Sequence, residues 1–369
     1  MKPKTTLSDV AGYFETLAPA ALQESYDNSG IQVGDPDQEI TSALLTIDVT
    51  EAVVDEAIAC RANLIVSHHP VVFGNLKRIT GATATERILS KAIIHRIAIL
   101  SVHTNLDNAI TGVNQKIAQK MGLQETKILK PLKGILRKLV TFVPASHLED
   151  VRNAVFMAGA GHIGNYDHCS FTSPGKGTFR GDEGTHPFAG EPGKFHTEEE
   201  LRLEIVFPAY LESKITVALI RAHPYEEVAY DIYPVENSYM LAGAGLVGKL
   251  EEPLSEKAFL RLLKETFHSP VIRHSPLLSK PVSRVALCGG AGSFLTGEAI
   301  AAGADFFITG DLKYHQFFEA AGKIVLADIG HFESEQFTRE LFYELLTKKF
   351  HTFGVRFSET VTSPVSCFI

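Results

Sequence analysis

One pattern constrains the fold more than any other: short apolar runs, each followed by a helix-like stretch. SALLTIDVT (residues 42–50), NLIVSHHP (63–70) and IAILSVHTNLD (97–107) are rich in Ile, Val and Leu and do not alternate with polar residues. Strands buried on both faces of a parallel sheet read this way. EAVVDEAIACRA, TERILSKAIIHR and GVNQKIAQKMG follow them in turn and read as helices. A further helix is expected to start at Ser8 as N-cap and to end before Pro19. The pattern returns in SRVALCGGAG, DFFITGD and KIVLADIG, and a final helix is expected over 333–350, with Phe337, Leu341, Phe342 and Leu345 on one face. Such repetition indicates an α/β layered fold.

Residues 130–240 interrupt it. LRKLVTFVP, HLEDVRNAVFMAGA, two strand-like stretches ending in LRLEIVF, then AYLESKITVALIRA and EEVAYDIYPV give the order β-α-β-β-α-β. That is the ferredoxin-like arrangement. Val228, Tyr230 and Ile232 are expected on one strand face, and the Gly-, Pro- and Thr-rich residues 172–196 as a long irregular loop. The expected organisation is an α/β core (1–129 and 241–369) carrying an inserted α+β domain (130–240). Three domains in tandem is the competing arrangement. Insertion is favoured because candidate ligands lie in both outer segments.

Composition narrows the function. A chain of 369 residues suggests two domains. The net charge of -8 argues against a nucleic-acid partner, which needs a basic face. No apolar run is long enough for a bilayer span, and the N-terminus lacks the apolar core of a secretory signal. The 4 cysteines are scattered, so neither a disulfide framework nor a thiolate zinc site is expected; a reducing cytoplasm fits.

The chemistry gathers at strand ends, where open α/β sheets place their ligands. Adjacent His68 and His69 close one run. Successive strand residues point to opposite faces, so the pair suits two neighbouring metals, or one metal if the backbone turns. Pro70 restricts His69 to extended backbone. Solvated histidines at a polar strand end are the plain alternative. Asp107 ends the next run, as a metal ligand or as a helix cap. A carboxylate can bridge two metals, and Asp107 is the candidate. His331 and Glu335 open the last helix four residues apart, on one side of it. Acids in a first helical turn also suit the helix dipole, which fits Glu333 better. Three imidazoles and two carboxylates match Zn, Mn, Fe, Ni or Co, and exceed what one tetrahedral ion takes. Two divalent ions are the natural solution. Asp48, His103, Asp311 and His315 are candidates to support the ligands or move protons.

Two glycine motifs remain. GAGLVG (243–248) fits GxGxxG but opens no helix, so it reads as a strand returning to the core. Gly289, Gly290 and Gly292 lie between a strand and a helix, so their N–H groups are candidates to cradle a phosphate; an ordinary turn is the alternative.

YDNSGIQVG, SHHP, HTNLD, CGGAGS, GDLKYH and DIGHFESE occur in that order. Together they resemble the Nif-three-like family, the GTP cyclohydrolase I type 2 homologues. The insert is similar to that of longer bacterial members through AGAGHIGNYDHCSF, GTFRGDEGTHPF and HPYEEVAYDIYPV, which have a domain like the PII and CutA trimerising proteins. The resemblance implies a Nif-three-like layered core, a dinuclear metal centre on His68, His69, Asp107, His331 and Glu335, and a toroidal homohexamer built from trimers. Tyr26 stands where the family commonly has Trp, and is expected to keep an aromatic packing surface. The function expected is a metal-dependent hydrolase of a nucleotide or a related phosphate-bearing small molecule. A cyclohydrolase would attack C8 of the purine with an activated water. A non-catalytic metal-binding regulator or metal chaperone is the alternative.

Overall fold

The computed structural model describes residues 4–368. It divides into two compact units: the chain through Lys130 together with the chain from Ala242 onward, and Pro131–Leu241. The borders expected from sequence were 129/130 and 240/241.

The first unit opens with α1 (Leu7–Leu17). Its N-cap is Thr6, not Ser8, because Asp9 sits three residues later and its carboxylate accepts from the Thr6 N–H, completing a capping box. Then come β1 (Gly30–Val33), β2 (Ser42–Thr46), α2 (Glu51–Ala59), β3 (Leu64–Ser67), α3 (Ala84–Ile94) and β4 (Ala98–Ser101). Strands β2, β3 and β4 are parallel neighbours, and β3 and β4 are buried throughout. Helices α4 (Thr104–Asn108) and α5 (Val113–Lys120) lead to β5 (Gln124–Leu132).

The second unit holds β6 (Leu136–Pro144), α6 (Leu148–Met157), β7 (Phe171–Phe179), β8 (His196–Pro208), α7 (Glu212–Ala222) and β9 (Tyr230–Val235). Its sheet runs β7-β8-β6-β9 with every pair antiparallel, the ferredoxin-like order. Leu139, Val151, Val155, Leu203, Phe207 and Ile215 are among the side chains of its core. The expected loop at 172–196 is only partly irregular: residues 172–179 pair with β8. A ladder of backbone groups needs no side chains, so Gly and Pro are tolerated on this edge strand. Val228 and Ile232 pack on the core, whereas Tyr230 is exposed.

The chain returns through β10 (Tyr239–Ser255), which contains the GAGLVG run. It continues through α8 (Glu256–Thr266), β11 (Arg273–His274), β12 (Pro281–Leu287), α9 (Thr296–Ala301), β13 (Phe306–Thr309), β14 (Val325–Asp328), α10 (His331–Glu335), α11 (Thr338–Lys349) and β15 (Gly354–Phe357). The first unit thus has two sheets, β1-β4-β3-β2-β15 and β11-β14-β13-β12-β10-β5. Strands β12, β13 and β14 are parallel. The helix expected over 333–350 is two helices. It breaks where Phe337 packs on Phe267, ring centroids 5.7 Å apart, and Gln336 Nε2 donates to the carbonyl of Phe267. Leu346, not Leu345, joins Leu341 and Phe342 on the buried face. Among the described residues, no helix is long and apolar enough to cross a membrane.

Candidate metal centre

At the exit of β3, the N–H groups of His68 and His69 both donate to the carbonyl of Ile47, at 3.1 and 2.9 Å. The chain has left the strand, so the alternation of side chains no longer applies. The two rings lie 5.0 Å apart, on the same cluster. At the exit of β4, Asp107 stands in the short helix α4. It does not act as the N-cap there; His103 occupies that position.

At the exit of β14, α10 brings His331 and Glu335 to the same place. Two glycines make the room. A Cβ on Gly290 would lie 2.3 Å from Glu335 Oε1, and one on Gly310 would lie 2.8 Å from the His331 Cα. Gly290 also has φ +62°, a conformation glycine adopts without strain.

Among the described residues three donor groups result: His69, His331 and Glu335; His68, Asp107 and Glu335; and the all-imidazole set His68, His69 and His103. Glu335 Oε2 is 3.1 Å from His69 Nε2 and 3.2 Å from His331 Nε2, while Oε1 is 3.6 Å from His68 Nε2. His68 Nε2 also lies 3.6 Å from Asp107 Oδ1. Glu335 is the carboxylate common to two of these groups, whereas Asp107, the expected bridge, stands in one. Each histidine's other nitrogen is engaged: His68 Nδ1 with the Val102 carbonyl at 3.0 Å, His69 Nδ1 with Asp48 at 2.7 Å, His331 Nδ1 with Asp311 at 2.7 Å. Donating from Nδ1 leaves a lone pair on each Nε2, aimed into the cluster. His68 Nε2, Asp107 Oδ1 and Glu335 Oε2 are buried with no hydrogen-bond partner. Buried polar atoms are rarely left so. A cation satisfies all three, so the residues present fit a metal.

The charges of the metal-free chain agree. Burial pulls His69 down, but Asp48 and Glu335 outweigh it and raise its pKa to about 10. His331 is likewise opposed by burial yet raised to about 9 by Glu335 and Asp311. His68 moves up against its burial because Asp107 and Glu335 face it. Burial would raise Glu335, but the three histidines hold it well below the usual carboxylate range. Burial raises Asp107, with the Glu335 charge adding to it against His68. The cluster thus attracts positive charge strongly, as protons or as metal.

The Duf34/NIF3 (NGG1p interacting factor 3) family model matches residues 5–364. This chain belongs to the Duf34/NIF3 family. It is 40% identical over 357 residues to the GTP cyclohydrolase 1 type 2 homolog of Bacillus subtilis, covering 95% of each chain. It is 42% identical over 303 residues to the protein of that name from Halalkalibacterium halodurans, covering 82% of each. Among solved structures, a Bacillus cereus protein related to NIF3 superposes with a TM-score of 0.86 at 37% identity, over 100% of both chains.

In this NIF3-family chain, Asp48 and Asp311 hold the rings of His69 and His331. His103 lies beside the cluster, its ring 5.1 Å from His68 and 5.2 Å from His69. His315 does not join them: it is exposed, and its ring contacts are with Tyr314 and Phe318. The phosphate role expected of Gly289, Gly290 and Gly292 is also corrected. Their N–H groups donate to Asn114 Oδ1, Ser334 Oγ and Thr309 Oγ1, at 2.9, 2.9 and 2.8 Å, so those amides are spent inside the fold. Tyr26 is not a packing surface; it is 70% exposed and lines a cavity of about 780 Å³ that contains the cluster.

Asp27 and Asn114 escaped the residue-by-residue reading. Asp27 accepts from His103 Nδ1 at 2.8 Å and from the Thr104 hydroxyl; burial opposes its ionisation, but these bonds hold its pKa well below the usual range. Its place in YDNSG was the available signal. Asn114 joins the Asp107 carbonyl to the Gly289 amide, a long-range link with no local signature. The Cys288 thiol also lines the cavity. Burial, with Asp107 and Glu335 beside it, pushes its pKa up.

Proposed function

We propose that this chain is a metal-dependent hydrolase in which His69, His331 and Glu335 would hold one divalent ion and His68, Asp107 and Glu335 a second. The observation that carries this reading is the pair of donor groups at one carboxylate, with three imidazoles oriented by Val102, Asp48 and Asp311. Zn, Mn, Fe, Ni or Co suits these donors. Two such ions supply Lewis acidity to a substrate oxygen and lower the pKa of a water. The residues of this chain do the rest. Asp48 and Asp311 fix His69 and His331. Asp27 orients His103, which stands beside the cluster to hold or pass a proton. The name of the relatives makes hydrolytic opening of the purine ring of a nucleotide the first reaction to test. A homohexamer is proposed as the assembly, on the family resemblance.

A non-catalytic metal carrier needs the ligands alone. The wide cavity around them favours turnover. The test is elemental analysis of the protein as purified, followed by assay of GTP ring opening with each metal restored. Turnover that depends on metal and disappears in Glu335→Gln supports the hydrolase. Two bound ions with no turnover of GTP or guanosine under any metal supports the carrier.

A further inference from the structure

The walls of the cavity say which part of a nucleotide it suits. Five carboxylates line it: Glu24, Asp48, Glu51, Asp107 and Glu335. Glu51 is paired with Arg87, and the other four match the positive charge of two divalent ions. Among the described residues, its lining includes no lysine or arginine. The cation beside the rim, Arg87, is already engaged by Glu51 at 2.8 Å. Sites for polyphosphates combine arginine or lysine with free backbone N–H groups. Here the nearby glycine amides at 289, 290 and 292 are consumed by Asn114, Ser334 and Thr309. Beside histidine, threonine and asparagine side chains, the wall carries an apolar, partly aromatic stretch with Tyr26, Val71, Phe73, Ile88 and Phe294. Phe73 and Phe294 are both more than half exposed as they face this space. Such a stretch gains by covering a flat ring, while a lining with no surplus positive charge gives an anion nothing to pair with.

We infer that the substrate of this site is an uncharged ring compound, of the class of a purine nucleoside or its base, with its flat face on the apolar wall and a polar edge toward the ligand cluster. A triphosphate tail adds no affinity. The inference rests on the hydrolase reading for the role of the site and narrows what that site accepts.

The test is isothermal titration calorimetry of the Mn-loaded full chain with guanosine, GTP and inorganic triphosphate at equal ionic strength. Guanosine is expected to bind at least as tightly as GTP, and triphosphate more weakly than either. Glu51→Lys, at the exposed rim, is expected to raise the ratio of GTP to guanosine affinity about tenfold, because it exchanges a repelling charge for an attracting one. GTP or triphosphate binding tenfold or more tighter than guanosine to the unaltered chain would overturn the inference. So would failure to bind guanosine at ~1 mM. Ring opening is followed separately. Tight guanosine binding without turnover defeats the hydrolase reading and leaves the ligand class standing; turnover of GTP with a strong preference for the triphosphate does the reverse.

Discussion

Exchanging Glu335 for Gln probes the shared carboxylate directly. Glu335 is 3% exposed, and its two oxygens face three histidines at 3.1, 3.2 and 3.6 Å. Gln keeps the volume but loses the charge, and one oxygen becomes an NH2 group that cannot ligate. Both donor groups that contain it lose a member. Asp107→Asn, by contrast, weakens only the group of His68, Asp107 and Glu335. Loss of a supporting partner around a metal costs about 10–100-fold in affinity, so loss of a ligand costs at least about 100-fold. That is about 2.7 kcal/mol per ion, and at metal concentrations well above Kd it appears as lost folding stability. Glu335→Gln should therefore lose about 5 kcal/mol of metal-linked stability, and Asp107→Asn about half of that. The assay is metal per chain by elemental analysis after dialysis, paired with the difference in Tm between loaded and metal-free protein. That difference removes the effect of each substitution on the metal-free fold. Glu335→Gln should retain almost no metal and Asp107→Asn about one ion. Two ions retained by Glu335→Gln, or equal losses in both variants, would refute the shared-carboxylate geometry.

Asp48→Ala and Asp311→Ala each free a ligand ring, and should weaken metal binding about 10–100-fold in a competition titration with a chelator while the fold survives; unchanged affinity in both would count against ring orientation. Metal binding should release protons near pH 7.5, because His69 and His331 carry pKa values of about 10 and about 9 in the metal-free chain. These values are raised, so their contribution to metal-free stability is complete below the ordinary histidine value and is lost as pH rises through about 9 and about 10, while metal affinity climbs over the same range. Calorimetry in buffers of different ionisation enthalpy measures the release, and a buffer-independent enthalpy would contradict it. Deleting residues 131–241 and joining the ends with a short Gly/Ser bridge should leave a metal-binding core, because β5 and β10 are neighbours in one sheet and all five ligands lie outside the deletion. A folded, soluble product that binds no metal would show that the insert is required.

The runs around Leu64–Ser67 and Ala98–Ser101 were legible as buried parallel strands because burial on both faces demands a continuous apolar stretch, a property of a few adjacent residues. For the same reason the residues that cluster at the strand ends were legible: His68, His69, Asp107, His331 and Glu335 each sit beyond such a run. Strands β1 and β15 were not. Each is four residues long and no residue of either is fully buried, so pairing with β4 and β2 defines them rather than their own pattern. Which carboxylate stands in two donor groups was likewise out of reach, because His69 and His331 meet across 262 positions. The glycines at 289, 290 and 292 show the same limit. Their spacing suits a phosphate turn, yet an amide can serve a ligand only if nothing in the fold has claimed it. Asn114, Ser334 and Thr309 claim these three from distant points of the chain. Local sequence sets which groups a segment offers; long-range packing decides which of them remain free to act.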